Sequence, residues 1–316
     1  MFWTGELIAR RAPVRRRPLA ERPPRLDRAV AAYLGLAVGD ALGATVEFLT
    51  PNEIRQQIGT HMEITGGGWL RLKAGQVTDD TTMSLALGES ILGVGRVDAL
   101  AAADAFDGWM RGKPVDIGNT VRRNLIAFRK SGNPEAPASE HDAGNGAAMR
   151  TLPVALATLG HAPEAIFTAS RAQAHVTHHN TLSDAACETL ILMVHDLIAG
   201  RDPLEIERDR AADLVRRHPV FAYDRKRREN PSGFVVETLQ AVFQSFFGTE
   251  SFEDCLIDVV NRGGDADTTG AIAGMLAGAR YGCGEIPKRW LKALDPQSRE
   301  SCEQQAEALF AISGLR

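Results

Sequence analysis

Two short segments of this chain concentrate carboxylates and hydroxyls where a hydrophobic core requires neither. Residues 263–269 read GGDADTT and place Asp265 and Asp267 directly before an apolar stretch rich in alanine and glycine. The free N–H groups and partial positive charge of a helix N-terminus stabilise one acidic cap, so the second carboxylate needs another partner. Residues 78–82, which read TDDTT, precede the apolar stretch 83–94 in the same way. Two acidic helix starts indicate a shared counter-charge, for which a divalent metal ion is the natural candidate.

The ligand chemistry of both segments favours hard ions such as Mg²⁺ or Mn²⁺, because carboxylates and hydroxyls offer only oxygen. Successive residues on a helix point about 100° apart, so residues 78–80 and 265–268 can converge on an ion only where a loop turns into a helix. The four aspartates of these segments, with Glu47 as a possible fifth carboxylate, carry more negative charge than one divalent ion can neutralise. Charge therefore favours two ions over one. Ordinary helix capping explains either segment alone, but it explains both together poorly.

Two glycine-spaced helices are predicted to bring the acidic segments together. Residues 29–48 are predicted as one helix, and the apolar stretch after residue 269 as another. Glycines recur at every fourth position in both, at Gly35, Gly39, Gly43, Gly270, Gly274 and Gly278. This spacing puts them on one face, and each costs about 1 kcal/mol of helix propensity relative to alanine. A close contact between the two helices, or with a common neighbour, should offset that cost and carry Asp40, and Glu47 two turns further on, toward Asp265 and Asp267.

The rest of the pattern predicts an all-α fold with one domain over residues 26–316. Strand signals are nearly absent, and the low aromatic share with abundant alanine and glycine suits closely packed helices. Residues 51–72 are predicted as loop, with three glycines before Trp69. Further helices are predicted at 98–109, 121–129, 164–174, 183–199, 204–216, 233–247, 252–261 and 298–312. No period of 20–50 residues indicates a solenoid.

Charge, apolar runs and cysteine spacing narrow the class of protein. A net charge of −4 implies no general attraction to nucleic acid, and no apolar run approaches the length of a transmembrane helix. The N-terminus lacks the apolar region of a secretory signal. The four cysteines are scattered without zinc-type spacing, so we expect reduced thiols in a cytoplasmic protein.

Residues 1–25 form an extension in which arginines alternate with prolines. Proline blocks regular structure and clustered like charge resists collapse, which predicts a flexible basic tail. The alternative is an arm that folds onto an acidic partner, or onto the acidic cleft of this chain, with Phe2 and Trp3 among its apolar anchors.

Two further groups are candidate substrate contacts. Asn145 lies between two glycines ahead of a predicted helix start, where backbone N–H groups could hold a phosphate, although such glycines more often form a plain turn. His175, His178 and His179 could share a metal ion, but a role at the surface or at the edge of the substrate fits better with an oxygen-ligated centre. The sequence has no Rossmann or P-loop fingerprint, and no glycine frame for a Ser-His-Asp triad.

Four motifs in this order resemble the ADP-ribosylglycohydrolase family, most closely its dinitrogenase reductase-activating branch. They are GDALG at 39–43 with Glu47, TDDT at 78–81, GNGAAMR at 144–150 and GGDADTT at 263–269. The resemblance runs from about Asp27 to the C-terminus and includes GGGWL at 66–70 and PVDIGN at 114–119. It implies a compact all-α fold with two ions, Mg²⁺ or Mn²⁺, in a cleft.

By position, the resemblance assigns roles to individual residues. The implied metal-binding residues are Thr78, Asp79, Asp80, Asp265, Asp267 and Thr268, with Asp265 either a direct ligand or the carboxylate that orients one. The implied catalytic residues are Glu47 beside the metals, Asp79, and Asp116 as an acid or base on a mobile loop. Substrate contacts are expected at Asn119, Asn145, Gly146, Met149 and His178, of which Asn145 and Gly146 correspond to the diphosphate site.

The implied reaction is hydrolysis of the N-glycosidic bond between ADP-ribose and an arginine of a modified protein. The target is left open between dinitrogenase reductase and a toxin-modified protein, for which the chain would be an immunity factor. Residues 1–25 could then contact a cognate ADP-ribosyltransferase or toxin. The alternatives are hydrolysis of serine-linked or O-acetyl-ADP-ribose, and a non-catalytic binding protein with the same fold. The intact acidic segments argue against the last, because a decayed site has little reason to keep buried like charges.

Overall fold

Within residues 22–315, which the computed structural model describes, the chain consists of helices and turns without a β-strand. The first eight helices are α1 (Pro24–Gly43), α2 (Pro51–Gln57), α3 (Asp79–Val94), α4 (Ala99–Arg111), α5 (Asn119–Ser131), α6 (Leu152–Ala157), α7 (Pro163–Ala174) and α8 (Thr181–Ala199). The others are α9 (Pro203–Ile206), α10 (Ala212–Arg217), α11 (Val235–Gly248), α12 (Phe252–Val260), α13 (Ala266–Tyr281), α14 (Lys288–Ala293) and α15 (Pro296–Ile312). The all-α prediction is confirmed. No helix in this part of the chain combines the length and apolarity needed to cross a membrane.

Helices α1 and α13 form the centre of the fold and contact each other through their backbones. A Cβ atom added at Gly35 would lie 2.1 Å from the carbonyl oxygen of Gly274, and one at Gly43 would lie 2.1 Å from that of Ala266. Only glycine permits so close an approach, and the predicted contact between the two glycine-spaced helices is therefore confirmed. The pairing also shows that the helices are antiparallel, so the end of α1 meets the start of α13.

Helix α1 ends at Gly43, earlier than predicted, so Glu47 does not lie on its face. The chain turns instead, and the N–H of Phe48 donates to the carbonyl of Gly264 (2.7 Å). The N–H of Gly264 donates in return to the carbonyl of Leu49 (2.9 Å). These two hydrogen bonds join the turn to the loop before α13. Glu47 therefore reaches the acidic segment through this turn rather than through two more turns of helix.

Other segments also differ from the sequence prediction, among them helix α14, which was not predicted. Helix α2 occupies part of the predicted loop, because Thr50 and Glu53 form a capping box in which each residue's backbone N–H donates to the other's side chain. Residues 145–150 form turns instead of opening a helix, and α6 begins only at Leu152. A π-helical turn at Glu207–Ala211 separates α9 from α10, which the sequence predicts as one helix.

The first described residues already contact the helical body. Helix α1 begins at Pro24, since proline suits the first turn of a helix, and Arg22 forms an ion pair with Glu307 (2.8 Å) on α15. The predicted tail or arm over residues 1–21 lies outside the described residues.

Candidate active site

A cavity of about 330 Å³ opens where the end of α1 meets the starts of α3 and α13. Most of the predicted site residues line it, namely Glu47, Asp79, Asp116, Asn119, Asn145, Gly146, Met149, His178, Asp265, Asp267 and Thr268. The other two, Thr78 and Asp80, lie directly behind the wall. The hydroxyl of Thr78 is 3.4 Å from Oδ2 of Asp267, and the hydroxyl of Thr268 is 3.3 Å from Oδ2 of Asp80. The four motifs therefore lie together around one cavity.

Asp40 on α1 holds the start of α3 in position. Its buried carboxylate accepts hydrogen bonds from the N–H groups of Thr78 (3.0 Å) and Thr81 (3.1 Å), and from both threonine hydroxyls. The first turn of a helix leaves such N–H groups without a partner, so Asp40 acts as a cap supplied by a neighbouring helix. It thereby fixes Asp79 and Asp80 at the loop-to-helix transition that convergence on an ion requires.

The acidic side chains at the cavity fit a cation. Glu47, Asp265 and Asp267 each offer a carboxylate oxygen within 4.8 Å of the others. The Oδ1 atom of Asp80 is buried, and no atom of the described residues hydrogen-bonds to it. The charged neighbours that act most strongly on Asp80 are all carboxylates, with Asp79 first. Burying like charges without a counter-ion is costly, and oxygen-only donors suit Mg²⁺ or Mn²⁺.

Burial raises the pKa of these carboxylates, and repulsion from neighbouring acidic groups adds to the effect. The pKa of Glu47 rises to about 8, and that of Asp79 also rises to about 8. The pKa values of Asp80 and Asp267 are raised well above their usual range for the same two reasons. Without a cation, Glu47 and Asp79 therefore retain their protons near neutral pH, and a bound divalent ion would replace those protons.

We expect the metal-free protein to lose stability as the pH rises from about 4 to about 8. Carboxyl groups with raised pKa values bind more protons in the folded than in the unfolded chain, so stability falls between the unfolded and the folded pKa. Each such proton changes the free energy of unfolding by about 1.4 kcal/mol per pH unit. Thermal unfolding followed by circular dichroism in EDTA should show a melting temperature lower by about 5 °C or more at pH 8 than at pH 5.

The matched condition for this measurement is excess Mn²⁺ in place of EDTA. The ion binds the deprotonated carboxylates, so it should raise the melting temperature most at pH 8 and flatten the pH dependence. A melting temperature in EDTA that stays constant over the same pH range would contradict the protonation assigned to the cavity.

Glu47 and Asp116 add two carboxyl groups from loops. Oε2 of Glu47 accepts a hydrogen bond from the indole N–H of Trp69 (2.6 Å). Asp116, before α5, is half-buried and accepts a hydrogen bond from the N–H of Ile117 (2.7 Å). Burial, with a smaller contribution from Asp265, raises the pKa of Asp116. The raised pKa favours the protonated carboxyl, the form from which a general acid donates, and the acid/base role of Asp116 stays a prediction.

Asn145 supports a carboxylate rather than offering its backbone to a ligand. Its side-chain amide donates to Oδ2 of Asp265 (2.6 Å) and to the hydroxyl of Thr238 (3.0 Å). Its N–H donates to the carbonyl of Gly233 (2.9 Å). The expected phosphate contact through this N–H is therefore not available in the structure, because the group is already bonded. A substrate contact at Gly146 stays a prediction.

Of the three clustered histidines, only His178 lines the cavity. Its ring lies against Gly146, where an added Cβ would be 2.8 Å from Cε1 of the imidazole. Burial lowers the pKa of His178 to about 3, so its imidazole is neutral. His175 and His179 stack at 3.8 Å and form, with Glu135, a separate group of potential metal ligands away from the cavity wall.

Sequence reasoning did not assign three residues that complete the site. Phe48 lines the cavity, Trp69 holds Glu47, and Thr238 holds Asn145. Only Trp69 had a signal in the sequence, namely the three consecutive glycines that precede it. In the structure all three adopt positive φ and form a tight turn. Thr238 lies on α11 in an ordinary helical pattern that carries no such mark.

Comparisons with known proteins indicate the family to which the chain belongs. A model of the ADP-ribosylglycohydrolase family matches residues 21–315. The chain is 53% identical over 289 residues to the ADP-ribosyl-[dinitrogen reductase] glycohydrolase of Rhodospirillum rubrum, covering 92% of this chain and 97% of that protein. It is 35% identical over 301 residues to an ADP-ribosylarginine hydrolase of Serratia proteamaculans, covering 91% and 80%.

A solved structure shows the same likeness at the level of the fold. It is described as an ADP-ribosylglycohydrolase-related protein complex, and it matches with a TM-score of 0.81 and 38% sequence identity. The match covers 92% of this chain and 99% of that one. The family match, the relatives and the motifs in the cavity all agree. This chain belongs to the ADP-ribosylglycohydrolase family.

Proposed function

We propose that this chain hydrolyses the N-glycosidic bond between ADP-ribose and an arginine side chain of a modified protein. The products are ADP-ribose and unmodified arginine. The observation that carries the proposal is the convergence of Glu47, Asp79, Asp116, Asp265 and Asp267 on one cavity. The names of the similar proteins from R. rubrum and S. proteamaculans support the same class of reaction.

Two divalent cations, Mg²⁺ or Mn²⁺, are the proposed cofactors. The residues that would hold them are Thr78, Asp79, Asp80, Asp265, Asp267 and Thr268. Bound ions of this kind act as Lewis acids and orient the hydroxyl groups of a substrate. The unpartnered Oδ1 of Asp80 and the raised pKa values around it support this assignment.

The chain's own carboxyl groups supply the remaining chemistry. Cleavage of a glycosidic bond passes through a transition state with positive charge on the sugar, which nearby carboxylates such as Glu47 and Asp79 stabilise. Asp116, which lines the cavity, would donate a proton to the guanidine nitrogen as the arginine leaves, while water adds to the anomeric carbon of the sugar. Asn145 keeps Asp265 oriented through its 2.6 Å hydrogen bond.

The test of the proposal compares three substrates in the same assay. ADP-ribose release is measured from an arginine-modified protein, from a serine-modified protein and from O-acetyl-ADP-ribose, each with Mn²⁺ and with EDTA. We expect release to be fastest from the arginine-modified protein and to require Mn²⁺. Faster release from either other substrate would assign the chain to that linkage. Binding of ADP-ribose without release from any of the three would make it a non-catalytic binding protein.

The proposal extends to target, partner and location. The modified protein would be dinitrogenase reductase or the target of an ADP-ribosylating toxin, and the reaction would take place in the cytoplasm. We assign residues 22–316 to the hydrolase domain, because Arg22 and the start of α1 already contact its helices, and residues 1–21 to an extension that either has no partner or binds a cognate transferase. Weaker binding of a transferase after deletion of residues 1–21 would distinguish the second role from the first.

A further inference from the structure

Phe48 adopts a backbone conformation that large side chains rarely take. Its φ is +63°, in the left-handed region that favours glycine. The side chain is 61% exposed and lines the cavity, so no core contact accounts for the conformation. The hydrogen bond from its N–H to the carbonyl of Gly264 (2.7 Å) holds it there. Backbone strain of this kind concentrates at functional sites.

Trp69 stands beside Phe48 on a tightly constrained loop. The two ring centroids lie 5.3 Å apart with the planes tilted by 48°, and Trp69 is 52% exposed. Gly67 and Leu72 exchange two backbone hydrogen bonds of 2.8 Å across the base of this loop. The indole N–H is bonded to Oε2 of Glu47 (2.6 Å), so the aromatic pair directly adjoins the acidic end of the cavity.

The chemistry of the reaction decides which part of a substrate meets this pair. The bond that breaks must lie near Glu47 and Asp116, where the carboxyl groups gather. On one side of that bond the sugar leads through the diphosphate to the adenine, away from the carboxylates. On the other side is the guanidinium, which belongs to a protein and must therefore extend into solvent. The exposed rings of Phe48 and Trp69 occupy such a border between carboxylates and solvent.

We propose that Phe48 and Trp69 form a stacking platform for the guanidinium of the target arginine. The inference rests on the proposed function and specifies how the leaving side of the substrate is recognised. Aromatic faces attract cations, and more strongly where water is partly excluded. Planar guanidinium groups stack on aromatic rings particularly well. The bond from Trp69 to Glu47 would place the stacked cation next to a carboxylate.

The experiment measures kcat and KM for hydrolysis of ADP-ribosylarginine, and inhibition by ADP-ribose, in the full-length chain with Mn²⁺. The variants are Phe48→Leu, which removes the ring, and Phe48→Trp, which keeps one. We expect Phe48→Leu to raise KM by about 2- to 30-fold, the range of a cation–π contact. The inhibition constant of ADP-ribose should change by less than about twofold, because the product lacks the guanidinium. Phe48→Trp keeps an aromatic ring, so its KM should stay near that of the wild type.

Trp69→Phe isolates the contribution of the hydrogen bond between Trp69 and Glu47. It retains an aromatic face but loses the bond to Glu47, so we expect a lower kcat with a smaller change in KM. Melting temperatures of all variants confirm folding. Unchanged KM in Phe48→Leu overturns the inference, and so does a parallel rise in the ADP-ribose inhibition constant, which would place the adenine on the ring. A wild type that binds ADP-ribose but does not cleave ADP-ribosylarginine overturns the proposed function, and the inference with it.

Discussion

Replacing Asp267 with asparagine is expected to lower kcat/KM for ADP-ribosylarginine by about a thousandfold, a loss of about 4 kcal/mol of transition-state stabilisation. Asp267 lies where the two acidic segments meet, with Oδ2 at 3.4 Å from the hydroxyl of Thr78. Its Oδ1 accepts the N–H of Thr268 (2.8 Å), a bond that asparagine can keep. The substitution therefore removes the negative charge of a proposed metal ligand with little change in shape. Steady-state kinetics with saturating Mn²⁺ provide the measurement.

A second measurement separates loss of metal binding from loss of folding. In EDTA the melting temperature of Asp267→Asn should equal or exceed that of the wild type, because one buried carboxyl group has been replaced by a neutral amide. Added Mn²⁺ should raise the melting temperature of the wild type much more than that of the variant. Asp104→Asn, on the exposed face of α4, is the matched control and should behave as the wild type in both assays. Retained activity together with a full Mn²⁺ response would refute the role of Asp267.

Gly39→Ala is expected to destabilise the protein by about 3 kcal/mol, at the upper end for an overpacked core. The added Cβ would lie 1.9 Å from the carbonyl oxygen of Gly270, a backbone atom that cannot rotate away. The better helix propensity of alanine offsets about 1 kcal/mol at most. Separating α1 from α13 would also displace Asp40, so activity should fall together with stability. Chemical denaturation and kinetic assays on the same preparation provide both quantities.

Gly108→Ala is the control for this prediction. Gly108 lies on the exposed face of α4, and apart from its chain neighbours and the adjacent backbone of α4, no atom lies within 4 Å of an added Cβ. The same chemical change should therefore stabilise the protein by up to about 1 kcal/mol through helix propensity alone. If Gly39→Ala were as stable as Gly108→Ala, the close contact between α1 and α13 would not exist in solution.

The centre of the fold could be predicted because its signal is periodic and local. Glycines at every fourth residue indicate a helix face shaped for a close neighbour, and two such faces indicate a pair. The acidic starts of α3 and α13 could be predicted for a similar reason, since carboxylates just before an apolar stretch exceed what capping needs. The position of Glu47 beside the acidic segments was predicted for the wrong reason, because the helix expected to carry it ends at Gly43.

The contacts that orient the site could not be predicted, because they join loops that are distant in sequence. Asn145 meets Asp265 across 120 residues, and no period or spacing marks the pair. The bond between Trp69 and Glu47 depends on a turn whose course follows from backbone contacts with Gly264. The capping box at Thr50 is an exception, since its sequence pattern was visible and indicates a helix start.

The contact between α1 and α13 also determines which part of the cavity can change shape. Backbone atoms touch backbone atoms along this seam, so no rotamer change can widen or narrow it. Asp40 and Asp267, at the same junction, must then keep a constant separation whether or not substrate is present. A protein-linked substrate needs a wider entrance than free ADP-ribose does. Any such adjustment would have to come from the loops that line the cavity away from this seam, which include the one that carries Asp116.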